Sequence, residues 1–272
     1  MLTWDDVAWA ASRYEHFVRL QNILKHHLGD LSGKNILDVG CGREYARALA
    51  LSSLGNTVTG IDTLYIGIHD HFLKRCWHVL RSDGLEHFAR VVAFKILGRD
   101  RTFYKAWSSI NQTPMSKEGL RIMQGNADSL NFPNEAFDIV ISTMVFEHLP
   151  NVPKVTCEIA RVLKRTGVAY IEVHLFTSLS GGHLSNYQKY PPYAHLRGLC
   201  PCPDHINKLR MQDYLDIFDR WFYAEQIEKI REPVNLLDPE IRRELRDYSE
   251  EELLTKILVM VGRKRQQGSS ES

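Results

Sequence analysis

The sequence predicts an α/β protein on a doubly wound, mostly parallel seven-stranded sheet, and three observations predict it. Short β-branched, apolar runs alternate with helical stretches through the first two thirds of the chain, the pattern of parallel strands joined by crossovers. A glycine pair directly follows the first of these runs, in "NILDVGCG". The last two strand-like segments, "FYAEQIEKI" and "LTKILVMVGRK", suit an antiparallel pair at the sheet edge.

Taken in order, Thr3 to Leu28 reads as an amphipathic helix. Val7, Ala11, Tyr14, Val18 and Leu24 recur near helical spacing, Thr3 and Asp6 form a capping-box-like start, and Gly29 ends it. "KNILDVG" is a strand closed by Asp38, Arg43 to Leu54 reads as a helix stopped by Gly55, and "NTVTGID" is a second strand ending in Asp62. "LRIMQGN", "FDIVIST" and "GVAYIEVHLF" follow as strands, with helical "VPKVTCEIARVLKR" between the last two. Helical "RMQDYLDIFDRW" and an acidic helix around "PEIRRELRDYS" precede the two edge strands in turn. The tail, 264–272, is polar, lacks apolar anchors and is expected to be disordered.

One connection exceeds what a crossover needs. Thr63 to Arg121 is 59 residues, against about a dozen for a parallel crossover, so 63–121 is read as a helical insertion. It carries ten Lys or Arg against five acids, and seven aromatics from Phe72 to Trp107. Such a face can guide an anionic or lipid-linked acceptor and touch a membrane surface weakly, or it can be plain solvated helix.

Composition limits the rest. With 272 residues, 44% hydrophobic and 25% charged, the chain buries one sizeable core, and a net charge of +1 gives no reason to expect a nucleic-acid partner. The start "MLTWDDVAWAAS" has acids where a signal peptide carries bases, no apolar run reaches spanning length, and five cysteines make an odd set, so a cytoplasmic protein is expected. Oligomeric state is not legible.

The glycine pair carries the strongest chemical signal. Gly40 and Gly42 let the backbone turn tightly and approach a ligand, and Asp62, twenty residues past Gly42 at the end of the second strand, can accept both hydroxyls of a ribose. Glu44 then selects among ribose-bearing ligands, because an acid beside the turn repels a pyrophosphate. A nicotinamide-dependent oxidoreductase would in addition need a glycine near Tyr45 or Ala46, and none is there.

Asp38-Val39-Gly40-Cys41-Gly42 resembles the first motif of class I S-adenosylmethionine-dependent methyltransferases of the type 11 kind. "QGNADSLNFPNEAFDIVISTMVFEHLPN" resembles the same family's third and fourth strands, so the likeness runs over roughly residues 33–175. The chain departs from the family at Glu44, where a third glycine is common, and at Asn126, where an Asp usually stands. The resemblance implies a Rossmann-like sheet in a single methyltransferase domain, 1–263, with S-adenosyl-L-methionine as cofactor. It implies cofactor contacts from Asp38, Gly40, Gly42 and Asp62, from Asn126 and the N–H of Ala127 at the adenine, and from Ser142 and Thr143 at the methionine end. The two departures also leave open a methyltransferase-like binding module without turnover.

The acceptor is expected on the loop region 177–208 after the fifth strand, a glycine- and proline-shaped stretch with Tyr187, Tyr190 and Tyr193, where strand-end loops carry ligand chemistry. His183, after two glycines, is the first candidate to take a proton from a small-molecule or glycan-like acceptor, with His195 and His148 as further catalytic candidates. Tyr190 and Arg197 are the candidate acceptor-binding residues, Arg197 through its planar fork. The alternative is that Tyr190 to His195 packs as a cover. Cys200, Cys202 and His205 have the types of a metal clip, but no fourth ligand or second cysteine pair accompanies them, so no metal is expected.

Overall fold

The computed structural model describes residues 4–42, 45–64, 77, 80–81, 85, 89, 92, 105, 107–110, 115–183, 189–200, 205–232 and 235–265, with backbone alone for 4–10. Thr3, Glu44, Tyr187 and Cys202 lie outside them.

Helix α1, Trp4–Leu28, is followed by Gly29 at φ 72, the left-handed stop the sequence predicts. Then come β1 (Asn35–Val39), α2 (Ala46–Ser52), β2 (Thr57–Asp62), β3 (Leu120–Gln124), β4 (Phe137–Thr143), a single 3₁₀ turn (Phe146–His148), α3 (Val152–Val162) and β5 (Leu163–His174). Next are α4 (Met211–Asp219), β6 (Phe222–Arg231), α5 (Pro239–Glu244), α6 (Glu250–Leu254) and β7 (Thr255–Lys264). They form one seven-stranded sheet in the order β3-β2-β1-β4-β5-β7-β6. β1, β2 and β3 pair in parallel, and β7 pairs antiparallel with β5 and β6, the expected edge arrangement. The inner strands are apolar on both faces, as parallel strands covered from two sides must be: β1 buries all but Asn35, and β4 all but Asp138.

Three boundaries differ from expectation. Helix α2 runs from Ala46, and Tyr45 before it takes a left-handed conformation (φ 36, ψ 27) that does not continue a helix; the expected start at Arg43 lies outside the described residues. Strand β5 starts at Leu163, where the helix reading runs on to Arg165: Leu163 is already extended, and Arg263 of β7 donates to the Thr166 carbonyl at 2.7 Å, drawing this stretch into the sheet. The single acidic helix is two. Asp238 caps the first through the Ile241 N–H at 2.8 Å, and Ser249 restarts the second through the Glu252 N–H at 3.1 Å. β7 runs through Lys264, the first residue of the expected tail; 266–272 lie outside the described residues.

The chain divides into two compact units, Met1–Val140 and Ile141–Ser272. In the first, Ile36, Leu37, Leu49, Leu51 and Val58 pack between α2 and the parallel strands. The described insertion residues 77, 80–81, 85, 89, 92, 105 and 107–110 are helical, and Trp107 is buried edge-on against Tyr14 and Phe17 of α1. In the second, Leu179 and Tyr193 of the loop after β5 join Leu237, Ile241, Leu245, Leu253 and Leu254 in one apolar cluster. That cluster fixes where the loop's polar side chains can go.

Candidate functional site

In the first unit the turn after β1 is tied to β2 by its own backbone. The N–H groups of Gly40 and Cys41 donate to the Ile61 carbonyl at 2.8 and 3.1 Å, and the N–H of Gly42 donates to Asp62 Oδ2 at 3.0 Å. Gly40 and Gly42 both sit at φ 69, where a side chain is strained. Gly60 on β2 is required for a different reason: a Cβ there would lie 2.9 Å from Cys41 Sγ. Burial and the carboxylates of Asp38 and Asp62 push that thiol up, so Cys41 packs as a neutral side chain.

Asp62 Oδ1 accepts a second bond, from the Leu64 N–H at 2.9 Å, so its carboxylate is held by one backbone donor on each oxygen. Each oxygen keeps lone-pair capacity for another donor. A Cβ on Gly42 would meet nothing within 4 Å, so the turn faces open space. A rigid carboxylate and a bare turn fit a ribose-bearing ligand that needs close backbone approach.

Asp38 takes another role. It is fully buried and paired with Arg47 of α2, at 2.5 Å to Nη2 and 3.2 Å to Nε. Burial raises its carboxyl and the guanidinium opposes that rise, so Asp38 clamps α2 onto β1 and supports the turn from behind. Asn126 and Ala127 follow β3 next to Asp62, whose carbonyl accepts the Gly125 N–H at 2.9 Å. The Asn126 carbonyl oxygen already accepts from the Asp128 N–H at 3.2 Å, so an adenine amino group would have to use its second lone pair.

In the second unit, Ser142 and Thr143 end β4, both buried. The loop region after β5 sorts its candidates. Of the acceptor-binding candidates, Tyr190 is exposed. The expected free fork of Arg197 is instead closed on Glu244, at 2.5 and 3.1 Å, with a third bond to the Pro192 carbonyl at 3.4 Å. His195, expected among the catalytic residues, is 8% exposed, and its Nε2 lies 2.8 Å from the Phe176 carbonyl. A carbonyl only accepts, so Nε2 carries the hydrogen and donates, and this ring serves as an anchor. Tyr193 is buried with its hydroxyl donating to the Leu253 carbonyl at 3.2 Å. This half of the loop packs as a cover.

His183 and His148 do come together, with ring centroids 5.0 Å apart. Two more histidines join them: His174, which the sequence reading does not single out, lies 4.6 Å from His183, and His205, weighed there only with Cys200 and Cys202 as a metal clip, stacks on His148 at 5.4 Å. Glu147, beside His148, was also missed as a site residue. It is 1% exposed, and neither of its carboxylate oxygens has a hydrogen-bond partner among the described residues; His183 Nε2 has none either. Burial pushes Glu147 up to about 8, and the Glu172 carboxylate adds to the rise; the N–H groups of Glu147 and His174 pull the other way by their dipoles, without reaching hydrogen-bond geometry. His183 is pushed down to about 4, first by burial and then by the neighbouring imidazoles, well below the near-neutral value at which a lone proton acceptor works best. His174 falls to about 3, first by burial, then by the nearby His183 and the Lys256 ammonium.

A chain of hydrogen bonds leads away from this cluster. Ser180 Oγ donates to Glu232 at 2.9 Å and so accepts from His174 Nε2 at 3.0 Å, which fixes the His174 tautomer. The signal for His174 was its place at the end of a strand, and for Glu147 its place in "FEHL"; neither shows in sequence that a half-buried His174 and a buried Glu147 belong to one cluster.

A family model described as a methyltransferase domain matches residues 37–171, the stretch that contains the turn, Asp62 and Glu147–His148. The chain belongs to the class I S-adenosylmethionine-dependent methyltransferases. S-Adenosyl-L-methionine is the cofactor of this family, and the turn and Asp62 have the features its ribose requires. The chain is 25% identical over 170 residues to a sterol 24-C-methyltransferase of Gibberella zeae, covering 62% of this chain and 34% of that protein. It is 38% identical over 145 residues to a phthiotriol/phenolphthiotriol dimycocerosates methyltransferase of Mycobacterium leprae, covering 53% of this chain and 39% of that one. The matched stretch thus spans little more than a third of each curated relative. A protein of Pyrococcus horikoshii OT3 shares the fold, with a TM-score of 0.52 at 15% identity, over 93% of this chain and 91% of that one. No helix among the described residues of the chain is long and apolar enough to cross a membrane.

Proposed function

We propose that the chain transfers the methyl group of S-adenosylmethionine to an oxygen or nitrogen of a small-molecule or glycan-like acceptor. Bound at the glycine turn, the cofactor supplies a methyl carbon that is already electrophilic on its sulfonium. The protein's part is then to hold donor and acceptor and to manage the acceptor's proton. Asp62 fixes the ribose, Asp38 and Arg47 brace the turn, and Asn126 with Ala127 receives the adenine. The acceptor's polar group is assigned to the cluster of His148, His174 and His183. The observation that carries this is His183 Nε2, a buried ring nitrogen with no partner among the described residues, where an incoming O–H or N–H finds one.

A second reading is favoured by the likeness to the sterol 24-C-methyltransferase: transfer to a carbon of a lipid-like acceptor. The insertion's exposed Trp77 (63%) and Leu85 (72%), with exposed Arg81 and Lys105, give such an acceptor or an anionic membrane surface something to meet.

The test is a panel of hydroxylated metabolites, amines, glycans and unsaturated lipids offered with labelled donor, the product's methyl position being read by mass and NMR. Label on oxygen or nitrogen, lost in His183→Ala while S-adenosylhomocysteine still binds, supports the first reading. Label on carbon replaces it by the second.

A further inference from the structure

We propose that Glu147, His148 and His183 form a binding site for one divalent transition-metal ion of the zinc type. One ligand atom from each of these side chains lies within 4.8 Å of the others. Around a tetrahedral ion with ligands near 2.0–2.1 Å, such atoms stand about 3.4 Å apart, so side-chain rotations close the set without moving an element.

The sequence places these ligands in two short pieces. Glu147 and His148 are neighbours on the single 3₁₀ turn after β4. His183 follows Gly181 and Gly182, at a left-handed φ of 49, with its N–H bonded to the Ser180 carbonyl at 3.1 Å. Gly182 is needed for this course, since a Cβ there would lie 2.8 Å from the His195 ring. The inward His195 and the cover it belongs to thus set the path of the chain that presents His183.

The hydrogen bonding also points to a cation. A buried carboxyl group with neither oxygen in a hydrogen bond to the described residues is a costly arrangement whether charged or neutral, and His148 and His183 each bring a ring nitrogen within 4.8 Å of it. An ion gives both the carboxylate and the open nitrogen of His183 a partner in one step. His174 supports the site from outside it: its ring lies beside His183, and its Nε2 is fixed by Ser180 and Glu232. His205 stacks on His148 from the other side.

The donor set selects the ion. Two imidazoles and one carboxylate suit zinc and its first-row neighbours, whereas calcium and magnesium prefer oxygen shells. His148 and His205 are exposed, which gives an entry path, and three protein ligands leave coordination positions open. This differs from the cysteine clip weighed in sequence: His205 serves here as a neighbour, and no cysteine takes part. With the ion bound, the His183 nitrogen is a ligand and no longer takes the acceptor's proton, so the acceptor oxygen of the function proposed above would meet the ion's open positions instead; that step rests on the proposed function, and the metal site itself does not.

The full chain, stripped with chelator and dialysed, is titrated with zinc by calorimetry and its bound metal counted by mass spectrometry; cobalt replaces zinc for an absorption spectrum. The expected result is one ion per chain with a visible cobalt band of low-symmetry N/O coordination. Affinity should fall more than about tenfold in Glu147→Gln and in His183→Ala, and stay unchanged in the surface double variant His26→Ala/His27→Ala. Should Glu147→Gln fail to fold, His148→Ala at the exposed edge carries the same expectation. No ion above background in the wild type, or an affinity indifferent to Glu147 and His183, overturns the site. S-Adenosylhomocysteine titrated into the same stripped protein reports the donor site separately, so loss of one reading leaves the other intact.

Discussion

In the turn after β1, the N–H groups of Gly40, Cys41 and Gly42 are all spent on β2 or Asp62, and the acid behind them is spent on Arg47. In the cluster after β4 and β5, a buried carboxylate and a buried imidazole nitrogen are left with no partner among the described residues. The first region is preorganised: its shape stays put whether or not a ligand is there, and a ligand pays little to order it. The second is incomplete, and something from outside must satisfy it. A region satisfied by its own backbone reads as a holder of a fixed cofactor, and one with unspent polar atoms reads as the place where the variable chemistry enters.

The largest effect that would break this comparison is at the turn. Gly40→Val should abolish S-adenosylhomocysteine binding by calorimetry, because a β-branched side chain at φ 69 costs on the order of 1–3 kcal/mol in strain and shifts the backbone the ligand must approach. Asp62→Ala should weaken it at least about tenfold, removing both the proposed ribose acceptor and the oxygen that holds the Gly42 N–H. If both variants titrate like wild type, the satisfied turn is only a structural joint.

The two regions also differ in how far they could be read from sequence. The turn is local: an acid, two glycines and a second acid at a fixed spacing define both the backbone path and its partner, and the seven strands follow from patterning of the same short range. Even Tyr45, which shortens α2, acts through its own backbone. The cluster is assembled by long-range packing. His183 was visible as a histidine after two glycines, but its nearness to Glu147 and His174 depends on the 3₁₀ turn and on the end of β5, which no spacing rule connects. Arg197 and His195 were singled out for chemistry because their residue types suit it; Glu244 and the Phe176 carbonyl, far away in sequence, give them structural partners instead.

Arg197 gives a smaller test. If its fork mainly closes the loop on α5, Arg197→Lys should lower the melting temperature by about 2–3 °C, the order expected of a partly exposed ion pair, and leave donor affinity and acceptor KM alone. A several-fold rise in acceptor KM with unchanged melting would return Arg197 to the binding surface and make the cover part of the incomplete region.

The smallest effect concerns the anchor on which the cluster leans. Burial lowers the pKa of His195 below its ordinary 6.5, against the opposing pull of the Phe176 and Ser178 carbonyls, so the ring is neutral in the fold. In the unfolded chain it titrates near 6.5. As pH falls through that value the unfolded state takes up a proton that the folded state refuses, so stability rises with pH, is fully present above about 6.5 and is lost below it. The loss for one such group is at most about 1.4 kcal/mol per pH unit. His195→Gln keeps an N–H for the Phe176 carbonyl but cannot titrate. Between pH 7.5 and 5.5 its melting temperature should therefore fall less than that of the wild type, by about 2 °C. Equal slopes would mean that the imidazole is protonated as easily inside as outside. An anchor of that kind would be open to solvent, and the path it sets for Gly182 and His183 would lose its physical basis.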